Sequence, residues 1–160
     1  MLPTSLKALL KELETHGVSH DAAPANRARR LLNITHDTGE FLAGLVGAMG
    51  ARRVLQIGTS NGYATLWLAE AAQGINGSVT TVELSAAKVA MARENFARAG
   101  LQERIVQAEG QAGDFLASSA DESFDLVFLD SERAAYLGWL PHIERILRPG
   151  GLGVVATNAR

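Results

Sequence analysis

One stretch, Arg53 to Gln73 (Arg-Val-Leu-Gln-Ile-Gly-Thr-Ser-Asn-Gly-Tyr-Ala-Thr-Leu-Trp-Leu-Ala-Glu-Ala-Ala-Gln), constrains the chain more than any other. Val54 to Ile57 form a short apolar run, as a buried parallel strand does. Gly58 to Gly62 is a turn of small residues, and from Tyr63 the pattern changes to helical spacing, with Leu66, Ala69 and Ala72 on one side. A strand, a glycine turn and a helix make a unit that receives an anionic or nucleotide-bearing ligand. Glycine lets the backbone approach the ligand, and the new helix presents free N–H groups at its positive end.

Upstream, Thr4 to His16 reads as an amphipathic helix with Leu6, Leu9, Leu10 and Leu13 on one face and Gly17 as its stop. Val18 to Pro24 reads as a linker. Arg27, Arg29 and Arg30 form a local basic cluster, read as a solvated face with phosphate binding as the minor alternative. Thr38 to Met49 is expected to be a second helix, turning Phe41, Leu42, Leu45, Val46 and Met49 inward and ending at Gly50.

Downstream, strands and helices alternate. Strands are expected at Ser78 to Glu83, Arg104 to Gln107, Phe124 to Leu129 and Leu152 to Ala156. Helices are expected from the Ser85 cap to Gly100, at Ala112 to Ala117 and at Ala134 to Leu147, the last stopped by Arg148-Pro149-Gly150-Gly151. This alternation predicts an α/β, doubly wound, Rossmann-like sheet that is mainly parallel and binds ligands at the strands' C-terminal edge. Residues 1–50 form an N-terminal helical segment of the same domain, and residues 51–160 form the binding core.

Composition narrows the function. The 160 residues are 47% hydrophobic, enough for one domain with a sizeable core. A formal net charge of −2 gives no global basic field for nucleic acid. The apolar runs are too short for a bilayer, no signal-peptide segment is visible, and there is no cysteine. These features suggest a cytoplasmic protein without a membrane partner.

Three readings compete for the glycine turn. The dinucleotide fingerprint needs glycine where Ser60 and Tyr63 stand. Gly58-Thr59-Ser60-Asn61-Gly62 fits a nucleophile elbow, with Asp130 and His142 following in triad order. However, no strands precede the elbow, and His142 falls in mid-helix. The third reading is S-adenosylmethionine, in which an acid ending the second strand holds the ribose hydroxyls. Glu83 stands there, with strand-end helix capping as its plainer role.

Taken together, Val54 to Tyr63, Val82-Glu83, Glu109 to Ala112, Phe128-Leu129-Asp130 and Leu147 to Gly151 resemble the class I methyltransferases. With Asn33 to Leu42, they resemble most the catechol- and caffeoyl-CoA-type O-methyltransferases, roughly from residue 30 to 158. The resemblance implies S-adenosylmethionine as cofactor. Gly58, Thr59, Ser60 and Gly62 would cradle its methionine part, Glu83 would hold the ribose, Gly110, Gln111 and Ala112 would edge the adenine pocket, and Gln56, Tyr63 and Leu84 would also belong to the cofactor site. Asp130 would lie beside the cofactor and be the first metal ligand. The resemblance also implies a small-molecule acceptor, a homodimer, and further C-terminal strands beyond Leu152 to Ala156, so that a fragment or a partner-completed sheet is expected.

Departures from the family pattern bear on mechanism. Gln56 replaces a glutamate and Ala64 a serine. Arg133 replaces a lysine that serves as base, and arginine stays protonated at any working pH. Thr157-Asn158 replaces Asp-Asn, leaving a degenerate metal site at Asp130 and Asn158 for which no bound metal is expected. His36 is the candidate replacement base, against a plainer surface role. The leading expectation is O-methylation of a phenol-like small molecule with little metal need. The alternatives are a methyltransferase-like protein that binds cofactor without transfer, and a methyltransferase acting on protein or nucleic acid.

Overall fold

The computed structural model describes residues 1–23 and 26–157. Pro24 and Asn158, both named above, lie outside the described residues. Six α-helices are described: α1 (Thr4–Asp21), α2 (His36–Met49), α3 (Tyr63–Gly74), α4 (Ala86–Ala99), α5 (Ala112–Ser118) and α6 (Tyr136–Ile146). Five strands accompany them: β1 (Arg53–Ile57), β2 (Ser78–Glu83), β3 (Ile105–Glu109), β4 (Phe124–Leu129) and β5 (Leu147–Val155). The strands form one sheet in the order β3-β2-β1-β4-β5, every neighbouring pair parallel. The doubly wound sheet expected from the alternation is therefore present, and strand order reverses between β1 and β4, where such sheets open a ligand crevice.

Helices cover both faces. The leucines of α1 pack with Leu42 and Val46 of α2 and with Leu66 and Trp67 of α3, in a core reaching Val54 and Leu126 of the sheet. Leu116 of α5 and Ile143 and Ile146 of α6 cover the other face, against Leu55, Ile57, Val127 and Leu129. Strands buried on both sides explain the nearly unbroken apolar runs.

Several boundaries differ from expectation for local reasons. Helix α1 passes Gly17, because that glycine is a packing position rather than a stop: a Cβ there would meet the Asn33 side-chain nitrogen at 2.7 Å. The extra turn delivers Asp21, whose two carboxylate oxygens accept the backbone N–H groups of Leu31 (2.6 Å) and Leu32 (2.8 Å). Helix α2 begins at His36, since Thr35 caps it by accepting the Thr38 N–H. Phe41 does not turn inward and is 60% exposed, whereas Leu42 and Val46 are buried. Arg104 ends a 3₁₀ turn and β3 begins at Ile105, while a second 3₁₀ turn, Arg133–Ala135, precedes α6. Pro149-Gly150-Gly151 does not end an element but bulges within β5, so that Phe124 pairs with Leu147 and Leu126 with Leu152.

Asp125 fastens the starts of β1 and β4 together. One carboxylate oxygen accepts the N–H groups of Arg52 (2.9 Å) and Arg53 (2.8 Å), and the other accepts the Arg53 (2.8 Å) and Arg148 (2.9 Å) guanidinium groups. Burial works against its ionised form, but these donors outweigh burial and hold the pKa below the usual carboxylate value. The arginines are partly solvated, so most of the stabilisation belongs to the backbone bonds. Asp125→Asn should cost about 2–3 kcal/mol in urea unfolding at neutral pH. A folded pKa below the unfolded value of ~3.9 makes this contribution complete above that value. It is lost as the pH falls through the depressed folded value, so wild type and variant should converge in strong acid.

Candidate functional site

Parallel register assembles the site. Ile57 pairs with Val82 on one side and with Leu129 on the other, and Glu83 pairs with Glu109. One residue further along, Gly58, Glu83 and Asp130 stand in a row at the C-terminal edge. The ladder continues through Gly58 N–H to the Val82 carbonyl, Asp130 N–H to Ile57 and Gly110 N–H to Glu83, each 2.9 Å. Gly58 has φ +96°, and a Cβ there would collide with the Asp130 carbonyl, so only glycine fits.

Over this row lies a cavity of about 410 Å³, within the range of roughly 300–1,000 Å³ common for small-molecule sites. Gly58, Ser60, Glu83 and Asp130 line it, as do Arg27, Arg30, Leu31 and Leu32 above and Ser131, Glu132 and Arg133 beside Asp130. Glu83 accepts the Ser60 N–H (2.9 Å) through one oxygen and the Ser85 N–H (3.0 Å) through the other. These bonds fix its carboxylate at the cavity wall while leaving lone pairs for a ligand. Asp130 is largely desolvated, which pushes its carboxyl up to about 6, although the Arg133 charge pulls the other way.

The remaining candidates support the turn from behind. Gln56 is buried, donates to the Gly58 carbonyl (3.0 Å) and accepts the Thr65 hydroxyl (2.6 Å). Thr59 turns into the sheet and shares a 2.6 Å bond with Thr81. The turn reverses at Gly62, after which the Tyr63 hydroxyl reaches Glu14 of α1 at 2.6 Å. None of these four lines the cavity. Gly110, Gln111 and Ala112 lie beyond Glu83 along the same edge, and Leu84 is exposed beside it.

His36 is not brought to Asp130. It belongs to a separate cavity of about 970 Å³, where Glu14 bonds it at 2.9 Å, Glu40 lies 3.5 Å away and Trp67 meets it edge-on. The Glu14 hydrogen bond raises its pKa, which favours the imidazolium rather than a free base.

The residues that sequence reading missed are those of the cavity's cap. Arg27 and Arg30, read there as a solvated face, reach the cavity on a 3₁₀ turn that ends in an extended segment. That segment is latched at three points. Asp21 holds the Leu31 and Leu32 N–H groups, Ser60 Oγ donates to the Leu31 carbonyl (2.6 Å), and Lys88 Nζ donates to the Arg30 carbonyl (2.8 Å). Ser60 (φ +52°) and Leu32 (φ +48°) both adopt left-handed conformations uncommon outside glycine. Two of the four such non-glycine residues among those described thus stand on the two sides of this latch; Asn76 and Glu122 are the others.

Among the described residues, no group of three His, Cys, Asp or Glu side chains could hold a metal ion, and no helix is long and apolar enough to cross a membrane. Comparison with known proteins gives the family. A catechol O-methyltransferase of Mycobacterium tuberculosis is 39% identical over 122 residues, covering 76% of this chain and 55% of that protein. A catechol O-methyltransferase of Niastella koreensis is 33% identical, covering 79% and 58% respectively. The chain thus spans little more than half the length of these relatives. A crystal structure of the Bacillus cereus O-methyltransferase in complex with SAH superposes with a TM-score of 0.77 at 29% identity, covering 97% of this chain and 66% of that one. With the O-methyltransferase family model matching residues 4–159 as well, this chain belongs to the O-methyltransferase family.

Proposed function

We propose that the chain carries the donor half of an S-adenosylmethionine-dependent O-methyltransferase that acts on a small molecule. One observation carries this reading: Gly58, Glu83 and Asp130 share a row beneath a capped cavity of suitable size. The cavity suits the cofactor's chemistry. Its wall offers a fixed carboxylate at Glu83 for ribose hydroxyls, a side-chain-free approach at Gly58, and the Asp130 carboxylate for cationic groups. When bound, the cofactor supplies an electrophilic sulfonium methyl group.

The protein's contribution is positional. Glu83 orients and Gly58 admits the close approach, while the latched segment at residues 30–32 borders the cavity. Asp130 is a poor base for an ordinary phenol, since a carboxyl at about 6 lies several units below a phenol reference of ~10. That shortfall favours a second reading, cofactor binding without transfer. Product analysis after incubation with the cofactor and an acceptor panel separates the two readings. A Mg²⁺ site does not fit: the matched positions present Asp130, with the Arg133 cation nearby, and Thr157 in place of a carboxylate.

Glu83→Ala should weaken S-adenosylhomocysteine binding by about 1.5–3 kcal/mol in calorimetry, the value of hydrogen bonds to a charged group. Equal affinity in the two proteins would remove Glu83 from the site. Mg²⁺ titration should show no tight stoichiometric binding to the unmodified chain, whereas Thr157→Asp with Arg133→Lys should raise the affinity measurably.

We further infer a homodimer. Strand β5 pairs only with β4 among the described residues and exposes Leu152 and Val155, while Phe41 and Leu137 present further apolar surface. Light scattering should give twice the chain mass, and a monodisperse monomer would overturn the inference.

A further inference from the structure

Four consecutive backbone polar groups at the cavity wall lie outside any helix or strand and are held by side chains instead. The Arg30 carbonyl accepts from Lys88 Nζ (2.8 Å), and the Leu31 carbonyl accepts from Ser60 Oγ (2.6 Å). The Leu31 and Leu32 N–H groups both donate to Asp21, at 2.6 and 2.8 Å. Ser60 and Lys88 line the cavity themselves, whereas Asp21 is not among the described residues that do. Asp21 therefore meets a cavity ligand only through the wall it holds. Burial works against its charge, yet the Leu31 and Leu32 N–H groups outweigh burial and hold the carboxyl below its ordinary pKa. It is thus ionised at neutral pH, and His20 Nδ1 lies 3.2 Å from the oxygen that accepts the Leu31 N–H. Leu32 lines the cavity at φ +48°, a conformation that a leucine keeps only where its surroundings impose it. The bonds then lead onward, since Ser60, which holds the Leu31 carbonyl, gives its own N–H to Glu83 (2.9 Å).

Resting on the cofactor reading above, we propose that Asp21 is a positioning residue of the donor site. It sets the Leu31–Leu32 wall opposite Glu83, so that cofactor binding and the docking of the last turn of α1 support one another. Without Asp21, the Leu31 and Leu32 N–H groups turn to water for partners, and Leu32 is released towards negative φ. A ligand then has to order this wall as it binds, and part of its interaction free energy goes to that ordering. Coupling of this kind is reciprocal, so a ligand that orders the wall also tightens the end of α1. Asp21 acts on affinity in this way without touching the ligand.

The test titrates the full chain at pH 7 with S-adenosylhomocysteine, calorimetrically, as wild type, Asp21→Asn and Asp125→Asn. Asp125→Asn is the control: it too removes a carboxylate that holds backbone N–H groups, but at the opposite end of the strands from the cavity. Absence of S-adenosylhomocysteine binding to wild type would defeat the methyltransferase reading itself, and this inference with it. With that binding intact, Asp21→Asn should bind about tenfold more weakly, the scale of a lost charge-assisted hydrogen bond, and Asp125→Asn should bind as wild type does. Hydrogen exchange followed by mass spectrometry supplies a readout that a merely structural role would not move. Saturation with S-adenosylhomocysteine should slow exchange in wild type both at residues 58–62 and at residues 17–22. In saturated Asp21→Asn the protection at 58–62 should persist and that at 17–22 should vanish. Equal affinity of wild type and Asp21→Asn, an equal loss in Asp125→Asn, no protection of 17–22 in wild type, or protection there that survives the substitution would each overturn the proposal.

Discussion

The site depends on the register between β1 and its two parallel neighbours. Parallel strands have evenly spaced, slanted hydrogen bonds, so fixing Ile57 against Val82 and Leu129 also fixes the residue that follows each of them. Gly58, Glu83 and Asp130 arrive together without any direct bond among their side chains. A slip of one residue would turn Glu83 and Asp130 to the opposite faces and bring Val82 and Leu129 to the row. Such a slip would also take Leu55, Ile57, Val127 and Leu129 out of their fitted contacts with α5 and α6, so core packing protects the register. Asp125 reinforces this at the far end of the same strand pair by binding the successive backbone N–H groups of Arg52 and Arg53 where β1 begins.

A second constraint is long-range. The cap over the cavity comes from residues between α1 and α2, yet its latches come from α1, the glycine turn and α4. Asp21, Ser60 and Lys88 each satisfy backbone groups that a short irregular segment would otherwise leave without partners. Helix α1 is therefore more than packing for the sheet. Its leucines anchor it to the core, its last turn carries Asp21 to the cap, and Glu14 near its middle receives the Tyr63 hydroxyl at the start of α3. The N-terminal helices and the glycine turn are mechanically one unit.

This division explains what could be read from the sequence. The glycine turn, Glu83 and Asp130 were legible because each ends an apolar strand, and alternation of strands and helices puts strand ends on one edge. The cap was not, because Arg27, Arg29 and Arg30 look the same in sequence whether they face water or a cavity. Only the partners of Leu31 and Arg30, which lie 29 and 58 residues away, decide which they do. His36 stayed open between base and surface roles for a related reason: its place in the sequence did not reveal that Glu14, 22 residues earlier, would bond it. Gly17 was read as a helix stop by composition, when the side chain of Asn33 set the need for glycine. Phe41 shows the limit of periodicity, since helical spacing groups a face without saying where the apolar cover ends.

Gln56 shows how a change of charge is absorbed at such a site. The residue is fully buried, where an ionised side chain would need strong compensation. As an amide it meets two local demands at once, donating to the Gly58 carbonyl and accepting the Thr65 hydroxyl. A carboxylate could serve only the second, and would face the Gly58 carbonyl with a repelling oxygen. The turn is thus stabilised by a neutral group that spans β1 and α3, and no ligand is required to complete it. Negative charge at the site is left to Glu83 and Asp130, the two carboxylates that the strand register brings to the cavity wall. The turn contributes shape and the strand ends contribute charge, so the cavity wall carries two carboxylates although residue 56 behind the turn is a neutral amide.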